Sequence, residues 1–508
     1  MRKTSCLLLA LLPVVAAAET KTWVAVLDAE GTATSANANV AENWDPAGIP
    51  TSEDDIVLDG ERSNVPMVWT VAATGASAPT TVKSWTQKAS YTSRVTIPTT
   101  RTGVFTQLVV RVDAQLDGGE WWRDANAKGD NSTATVWLNV KVDGDLSVGA
   151  GFKFNGEAAG YPKQRGISQG GEKGSTGGAH GGLGGGGTYG HGTVYGDYRN
   201  PTSLGSGQYG GDKGGGGAII LDVTGDFLLE GQVNANAGNG GTGSGQSGGS
   251  VWIKAKTLSG GATGLISANG GSPSNKRAGG GAGRISVQLS DPTWTQETLA
   301  ENFKGTIRAI GGYDSKGGNY ARVPGASGTV YLETAGDLGK GVMRLVNSSW
   351  SGQSPHNAVT LVGDGVKWDV TKLEMANNGR VGVASGGELH VPSFSAITGD
   401  ATVYSLFAFI GGAVTSDVKH DKFVASGFDL AVYASTDFGD YHLEVPADRK
   451  LSVAADAVFT VGSLKVNGTK LPAGEYVASS LTETYPNVSG AGTIKVLGLT
   501  DGLMLIVR

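Results

Sequence analysis

Cysteine is nearly absent from the 508-residue chain: there is one, Cys6. It lies in a segment that starts with the basic pair Arg2-Lys3, continues with the mainly apolar residues 7–18, and ends in three alanines before Glu19. This order is typical of a secretory signal peptide, so we predict export with cleavage after Ala18. The exported chain then has no cysteine, which excludes disulfides, thiol catalysis and cysteine metal sites.

Charged residues are also scarce, at 17% of the chain. Cleavage removes two basic and no acidic residues, so the formal net charge falls from −6 to −8. The acidic balance argues against a nucleic-acid partner. After the signal peptide no apolar run reaches the 18 or so residues that a membrane helix needs, so we predict no transmembrane helix in the mature chain. We therefore expect a secreted or cell-envelope protein, extracellular or periplasmic.

Long helical patterns are missing, and glycine is abundant. The chain has 83 glycines, of which 44 fall within residues 151–283. Glycine costs a helix about 1 kcal/mol per position, so helices are disfavoured there. A collagen-like structure is excluded, because there is no Gly-X-Y register and there are only 16 prolines. Disorder is disfavoured as well, because apolar β-branched runs interrupt the glycines.

Internal repeats are the strongest fold signal. Residues 251–254 (VWIK) precede 264–271 (GLISANGG), and about 32 residues earlier 219–222 (IILD) precede 231–238 (GQVNANAG). An insertion at residues 291–302 in the next copy is expected to form a helical turn or two. The remaining copies are 284–287 with 305–312, a weaker first copy at 136–140 with 151–156, and a partial last copy at 329–332.

Each unit reads as two short strands joined by turns and a glycine-rich loop. Two strands alone cannot bury their apolar faces, whereas stacked units share one core. Because successive parallel strands coil right-handedly, we predict an all-β, right-handed parallel β-helix (β-solenoid) with less regular β flanking regions. Glycine there permits positive φ at corners and close approach of neighbouring coils. Asn236 and Asn269 are predicted at equivalent positions on neighbouring coils, where stacked amides would form a side-chain ladder.

The predicted division of the chain has four parts. They are a signal peptide at 1–18, an N-terminal β region at 19–130, the glycine-rich β-helix repeats at 131–335, and a C-terminal β-solenoid region with a closing repeat at 336–508.

Two segments point to a known group of proteins. Residues 43–50 (NWDPAGIP) followed by 54–57 (DDIV) resemble the opening of bacterial secreted, autotransporter-passenger-like β-helix proteins. Residues 178–182 (GAHGG) and 216–219 (GGAI) resemble a glycine-rich exported β-helix type.

The C-terminal region extends this resemblance. Residues 464–468 (LKVNG), 472–476 (PAGEY) and 490–493 (GAGT) are similar to the closing repeat of the same broad group. Together the segments cover about half the chain, and they imply a secreted, pectate-lyase-like or adhesin-like solenoid without naming an activity. The translocator barrel of autotransporters is not expected after the closing repeat.

The densest group of polar rings lies in the glycine-rich residues 161–213. Tyrosine and histidine on a rigid scaffold could stack on sugars, and the nearby cations could meet an acidic chain. The same residues could serve as base and acid in β-elimination of a uronate. The open alternative is a loop whose rings pack over their own backbone. The candidate ligand-binding residues are His180, Tyr189, His191, Tyr195, Tyr198, Tyr209 and Lys213.

The adjacent pair Trp121-Trp122 is a second candidate. In a strand one ring faces the core and the other faces outward, where it could be a sugar platform or part of an interface. Carboxylate pairs that could serve glycoside hydrolysis do not differ from ordinary turn acids. They are Asp54 with Asp55, Asp364 with Asp369, and Asp437 with Asp440.

No cofactor is predicted. The calcium-binding nonapeptide appears only as fragments at residues 210–212 and 311–314, so calcium stays open. His180 and His191 lack a third zinc ligand, and no metal site is predicted.

Two functions remain. The first is an exported cell-envelope or extracellular β-solenoid with a structural, adhesive or carbohydrate-binding role, its partner a polysaccharide or cell-surface glycan. The second is a polysaccharide lyase or glycoside hydrolase on a pectate-lyase-like β-helix. The fold hosts both classes, so it cannot choose between them, and no catalytic residue is assigned.

Overall fold

The structure is a computed structural model that describes residues 18–70, 79–97, 101–102, 104–105, 107–122, 137–169, 176–186, 190–208, 213–239, 243–273, 277–313, 323–348, 358–402 and 405–499. The predicted signal peptide lies outside these residues, apart from Ala18. The described chain is all-β, with short strands throughout. None of its helices has the length and apolar surface that a membrane crossing requires.

In the first part, buried residues alternate with more exposed ones along Asp55–Leu58 and Leu138–Val142, for example, which places one face of these strands in a core. Thirteen strands belong to this part of the described chain. They are β1 (Thr20–Trp23), β2 (Trp44–Asp45), β3 (Asp55–Leu58), β4 (Met67–Val68), β5 (Thr81–Val82), β6 (Ser84–Gln87), β7 (Arg94–Thr96), β8 (Arg101–Thr102), β9 (Val104–Phe105), β10 (Leu108–Val110), β11 (Ala114–Trp122), β12 (Leu138–Val142) and β13 (Leu146–Asn155). A 3-10 helix spans Ala41–Asn43.

The glycine-rich part contributes the predicted repeat strands. They are β14 (Ala218–Val223), β15 (Asp226–Leu229), β16 (Gln232–Asn234), β17 (Ser250–Ala255), β18 (Thr257–Ser259), β19 (Leu265–Ser267), β20 (Arg284–Leu289), β21 (Thr306–Arg308) and β22 (Thr329–Glu333). The predicted helical insertion is confirmed as α1 (Gln296–Asn302), which begins where the Thr295 side chain accepts a hydrogen bond from the Thr298 backbone.

The last part is built from β23 (Val342–Val346), β24 (Thr360–Val362), β25 (Lys367–Asp369), β26 (Lys372–Ala376), β27 (Arg380–Ala384), β28 (Glu388–Val391), β29 (Ile397–Gly399), β30 (Leu406–Ile410), β31 (Ala413–Ser416), β32 (Lys422–Val424), β33 (Asp429–Ala434), β34 (Thr436–Val445), β35 (Leu451–Val453), β36 (Val458–Val466), β37 (Thr469–Lys470), β38 (Gly474–Val477), β39 (Val488–Ser489) and β40 (Thr493–Val496). Its 3-10 helices are Phe394–Ala396 and Ala478–Leu481; another, Ala335–Asp337, precedes β23.

Most strand pairs are parallel, and two long sheets dominate the first two parts. A ten-stranded sheet contains β10, β12, β14, β17, β20 and β22, whereas a thirteen-stranded sheet contains β11, β13, β16, β19 and β21. The chain therefore visits the two sheets in turn from β10 to β22. From β23 to β31, three successive strands go to three different sheets.

The strand registers confirm the repeat alignment read from the sequence. In the ten-stranded sheet Ile219 pairs with Val251, and Val251 pairs with Ile285. In the thirteen-stranded sheet Val233 pairs with Ile266, which pairs with Ile307. Equivalent residues of successive repeats thus lie side by side, and we call each repeat a layer.

The buried side chains form two main clusters. One runs from Trp23 to Leu332 and the other from Tyr331 to Val496. A column of aromatic rings runs through the N-terminal part of the first cluster, each ring edge-on to the next at centroid distances of 4.8–6.1 Å. Its members are Trp23, Trp44, Trp69, Trp85 and Trp121.

The glycine-rich segments pack backbone against backbone. A Cβ added at Gly249 would lie 1.9 Å from the Gly217 carbonyl oxygen, and one at Gly283 would lie 1.9 Å from that of Gly249. Neither glycine has φ in the left-handed region. Close approach between layers, rather than positive φ, therefore requires glycine at these two positions.

Candidate functional site

His180, the first predicted ligand residue, lies in the interior. Its side chain is 0% exposed, and its Nδ1 is 2.7 Å from the Gly248 carbonyl oxygen. Burial, reinforced by the charge of Arg284, lowers the pKa of His180 to about 3. Its Nε2 has no hydrogen-bond partner among the described residues. His180 is therefore a neutral interior ring and is not presented to solvent.

Tyr195 covers this histidine. The two rings stack with centroids 4.5 Å apart, and the Tyr195 hydroxyl donates to the Leu204 carbonyl oxygen at 2.7 Å. Burial raises the pKa of Tyr195 above its ordinary value. The Tyr195 carbonyl oxygen accepts from Nε of the buried Arg284 at 2.8 Å. The polar groups of Tyr195 thus hold the glycine-rich segment to β20.

Tyr198 joins a different cluster. Its ring lies edge-on to Tyr331 at 5.2 Å and tilted against Trp368 at 6.1 Å. Burial raises the pKa of Tyr198. The neighbouring Arg199 pairs with Glu333, 3.1 Å away. This part of the predicted site therefore fastens the glycine-rich segment to the second core cluster.

The remaining predicted residues are dispersed. His191 is partly exposed, and its backbone pairs with Gly184 in an isolated bridge. Lys213 is exposed, and its carbonyl oxygen accepts from Gln246 Nε2 at 3.2 Å. Tyr189 and Tyr209 lie outside the described residues. The structure brings His180 and Tyr195 together, and a ligand-binding role for the whole set stays a prediction.

A β-bulge on the thirteen-stranded sheet forms a more open site. Strands β11 and β13 pair in register up to Leu116 with Val148, and pairing resumes at Gly118 with Gly151. One extra residue in β13 shifts the register and breaks the regular pleat. A groove lies over this irregularity, and we call it the bulge groove.

Gln87 holds the bulge from the core side. Its side chain is 0% exposed; its Nε2 donates to the Gly118 carbonyl oxygen at 2.5 Å, and its Oε1 accepts from Trp121 Nε1 at 3.0 Å. Gly119 has φ +76°, and a Cβ there would lie 2.4 Å from the Ser93 carbonyl oxygen. The sequence around the bulge thus tolerates only glycine at its tightest point.

The bulge groove has a volume of about 460 Å³. Its floor is nearly bare backbone, because five of its lining residues are glycine or alanine: Ala89, Gly118, Gly119, Ala150 and Gly151. Its polar residues are Thr92, Asp117, Glu120, Lys153 and Gln232.

Ion pairs and hydrogen bonds hold the acidic residues of the groove in place. Glu120 accepts from Arg94 Nε at 2.5 Å and from Asn155 Nδ2 at 2.7 Å. Asp117 accepts from Gln115 Nε2 at 2.7 Å. The carboxylates are therefore positioned acceptors on a rigid strand pair.

Trp122 extends this face of the sheet. It lies two residues beyond Glu120 on β11, so both side chains point to the same side. Trp121 is fully buried whereas Trp122 is half-buried, which confirms the predicted inward and outward rings. The Arg94 guanidinium lies 4.2 Å from the Trp122 ring centroid and braces it.

Local structure accounts for the carboxylates of the candidate pair Asp54 and Asp55. Asp54 accepts hydrogen bonds from the Glu19 and Thr51 backbones, whereas the adjacent Asp55 pairs with Lys83 at 2.8 Å. These two carboxylates therefore have separate structural partners. In the part of the chain that the structure describes, no group of three or more histidine, cysteine, aspartate or glutamate residues could hold a metal ion.

Comparison with protein-family models, with curated proteins and with solved structures finds no match to this chain. The sequence contains a signal for the bulge groove, although the groove residues were not among the predicted ligand-binding residues. The pair Gly118-Gly119 interrupts an alternating strand, and glycine inside a strand marks a bulge or a close backbone approach.

Proposed function

We propose that this chain is an exported, right-handed parallel β-helix of the cell envelope or extracellular space that binds a carbohydrate in the bulge groove. The observation that carries this proposal is the groove itself. It combines a bare backbone floor with positioned carboxylate and amide groups. The half-buried Trp122 lies on the same sheet face, two residues beyond the lining residue Glu120.

The β-helix is supported by the order in which the chain visits its sheets. Strands β12, β14, β17 and β20 are parallel neighbours in one sheet, and β13, β16 and β19 are parallel neighbours in the other. Each layer therefore crosses from one sheet to the other and returns. The return takes 32 residues from Ile219 to Val251 and 34 from Val251 to Ile285, whereas the long glycine-rich segment between Leu138 and Ile219 extends it to 81. Right-handed coiling is the usual hand of such parallel crossovers. The signal pattern of residues 1–18 supports export.

Carbohydrate is the ligand class that matches the groove chemistry. A sugar offers hydroxyl donors around its edge and apolar C–H groups on its faces. Asp117, Glu120 and Gln232 supply acceptors for the hydroxyls, and an indole such as Trp122 can pack on a sugar face. The bare floor lets a polymer lie close to the backbone.

The test measures glycan binding by affinity electrophoresis on a panel of soluble polysaccharides. Replacing Trp122 by alanine should weaken retention about tenfold, since loss of an aromatic contact is worth roughly 1 kcal/mol or more. Trp252→Ala is the matched control: its indole, with Lys254 5.2 Å from the ring centroid, forms a similar surface pair on the other long sheet.

Retention by no glycan in the panel, or an equal loss in both variants, would contradict the proposal. The same panel is assayed for soluble product. Release of shortened or unsaturated sugars that Trp122→Ala abolishes would replace the binding function by a lyase or hydrolase at this groove.

A further inference from the structure

We propose that the bulge groove selects uncharged glycan chains over polyuronates. This inference rests on the proposed function and names the ligand class for the same site. It differs from the expectation for residues 161–213, where cations were expected to meet an acidic chain. Arg199, one of those cations, is paired with Glu333.

The cations near the groove are paired with acidic side chains. Arg94 pairs with Glu120, with Nε 2.5 Å from Oε1. Lys153 has Glu157 as its acidic neighbour, at 3.9 Å. Asp117 is the other carboxylate that lines the groove, and it forms no ion pair with a described residue. The groove therefore carries a negative excess at the position of Asp117.

Asp117 keeps acceptor capacity for a ligand. Its described hydrogen bond comes from the Gln115 amide, whereas a carboxylate can accept about four. The Asp117 carboxylate lies against the backbone of Gly149 at the bulge, since a Cβ added to Gly149 would be 2.8 Å from Asp117 Oδ1. A sugar hydroxyl can donate to the free lone pairs in a charge-assisted bond, whereas a uronate carboxylate meets like charge.

The whole chain adds to this preference. Its formal net charge is −6, and −8 after loss of residues 1–18. A polyanion is therefore repelled on approach, and added salt screens that repulsion.

The experiment compares xylan, mannan and mixed-linkage glucan with polygalacturonate and alginate on the full-length exported protein. We expect neutral chains to bind about tenfold more tightly than polyuronates of similar length, the size of one unfavourable charge contact. Asp117→Asn keeps the shape of the side chain and removes its charge. It should therefore reduce the ratio of neutral-chain affinity to polyuronate affinity by about fivefold or more. Asp222→Asn is the control, because Asp222 pairs with Lys254 on the other long sheet and should leave the ratio unchanged.

The salt dependence of the unmodified protein gives a second measure that needs no variant. Raising the salt concentration screens the repulsion, so the affinity for polyuronates should increase or remain unchanged. Tighter binding of polyuronates than of neutral chains, weakened by salt, would overturn the inference and leave the proposed function standing. An Asp117→Asn protein with an unchanged ratio would also overturn it. Binding of neither class would overturn the proposed function itself.

Discussion

The backbone N–H of Asn269 donates to Oδ1 of Asn236, 33 residues earlier and 2.7 Å away. Oδ1 of Asn269 in turn accepts from the Ile310 backbone at 2.9 Å. The two asparagines therefore occupy equivalent places in neighbouring layers, as predicted, but they are linked through side chain and backbone. This link between side chain and backbone replaces the predicted ladder of stacked side-chain amides. The parallel pairing of β16 with β19 ends at Asn234 and Ser267, just before these asparagines. Each asparagine side-chain oxygen therefore supplies a hydrogen-bond acceptor to a backbone N–H of the next layer.

Replacing Asn269 by alanine should destabilise the protein by about 1 kcal/mol, because the partly buried Ile310 N–H loses its acceptor. Asn269→Asp retains an oxygen at this position and should cost less. Denaturant unfolding of both variants checks the prediction. Equal stability of the alanine and aspartate variants would contradict it.

Gln87→Leu should destabilise the protein by about 2–4 kcal/mol, since it leaves the Gly118 carbonyl oxygen and the Trp121 indole N–H without their partner. Glycan retention should fall with it, because Gln87 holds the floor of the bulge groove. Gln115→Leu, at an exposed position of β11, should change the unfolding free energy by no more than about 0.5 kcal/mol. A Gln87→Leu protein as stable as the parent would show that the bulge does not depend on the Gln87 hydrogen bonds.

Gly283→Ala should prevent the glycine-rich layers from packing, because the new methyl group would lie 1.9 Å from the Gly249 carbonyl oxygen. We expect loss of the cooperative thermal transition or of soluble protein. Gly336→Ala is the matched control, since a Cβ there meets nothing within 4 Å. If both variants melt at the parent temperature, the close packing of the layers is wrong.

Tyr198→Ala should lower the unfolding free energy by about 3 kcal/mol or more while leaving glycan binding unchanged, because its ring packs on Tyr331 and Trp368. Tyr198→Phe keeps the ring and should be near the parent in stability. Affinity electrophoresis and thermal unfolding are measured together. Weaker retention at unchanged melting temperature would return the ligand site to the residues that the sequence indicated.

Acid should destabilise the protein partly through His180. Its pKa is about 3 in the folded chain against an ordinary 6.5, so below pH 6.5 the unfolded chain binds a proton that the folded chain does not. Stability from this residue is complete above pH 6.5 and is lost as the pH falls towards 3, by about 1.4 kcal/mol per pH unit.

A stability–pH profile by urea unfolding checks this. His180→Gln should show a flatter slope between pH 6.5 and 4 than the parent, about one proton less, whatever its absolute stability. Parallel profiles for the parent and His180→Gln would contradict the assignment.

The candidate site was harder to predict than the repeats. The seven residues predicted from the sequence are polar side chains of one glycine-rich segment. In the structure, however, His180 and Tyr195 face β20, whereas Tyr198 faces the second core cluster. Composition cannot say which side of a loop is covered. The Trp121-Trp122 pair was interpreted better, because its inward and outward rings follow from the two-residue period of a single strand.

The sequence by itself determined the all-β character, the layer length and the register of the repeats. Ile219, Val251 and Ile285 show that register at about 32-residue intervals, because strand alternation and repeat spacing are local properties of the chain. Only the tertiary structure decided which polar groups are buried and which residues line the groove at the Gly118-Gly119 bulge. Arg284 reaches Tyr195 across 89 residues, and Gln87 reaches Gly118 across 31. Such contacts depend on which layers become neighbours, and no local pattern encodes them.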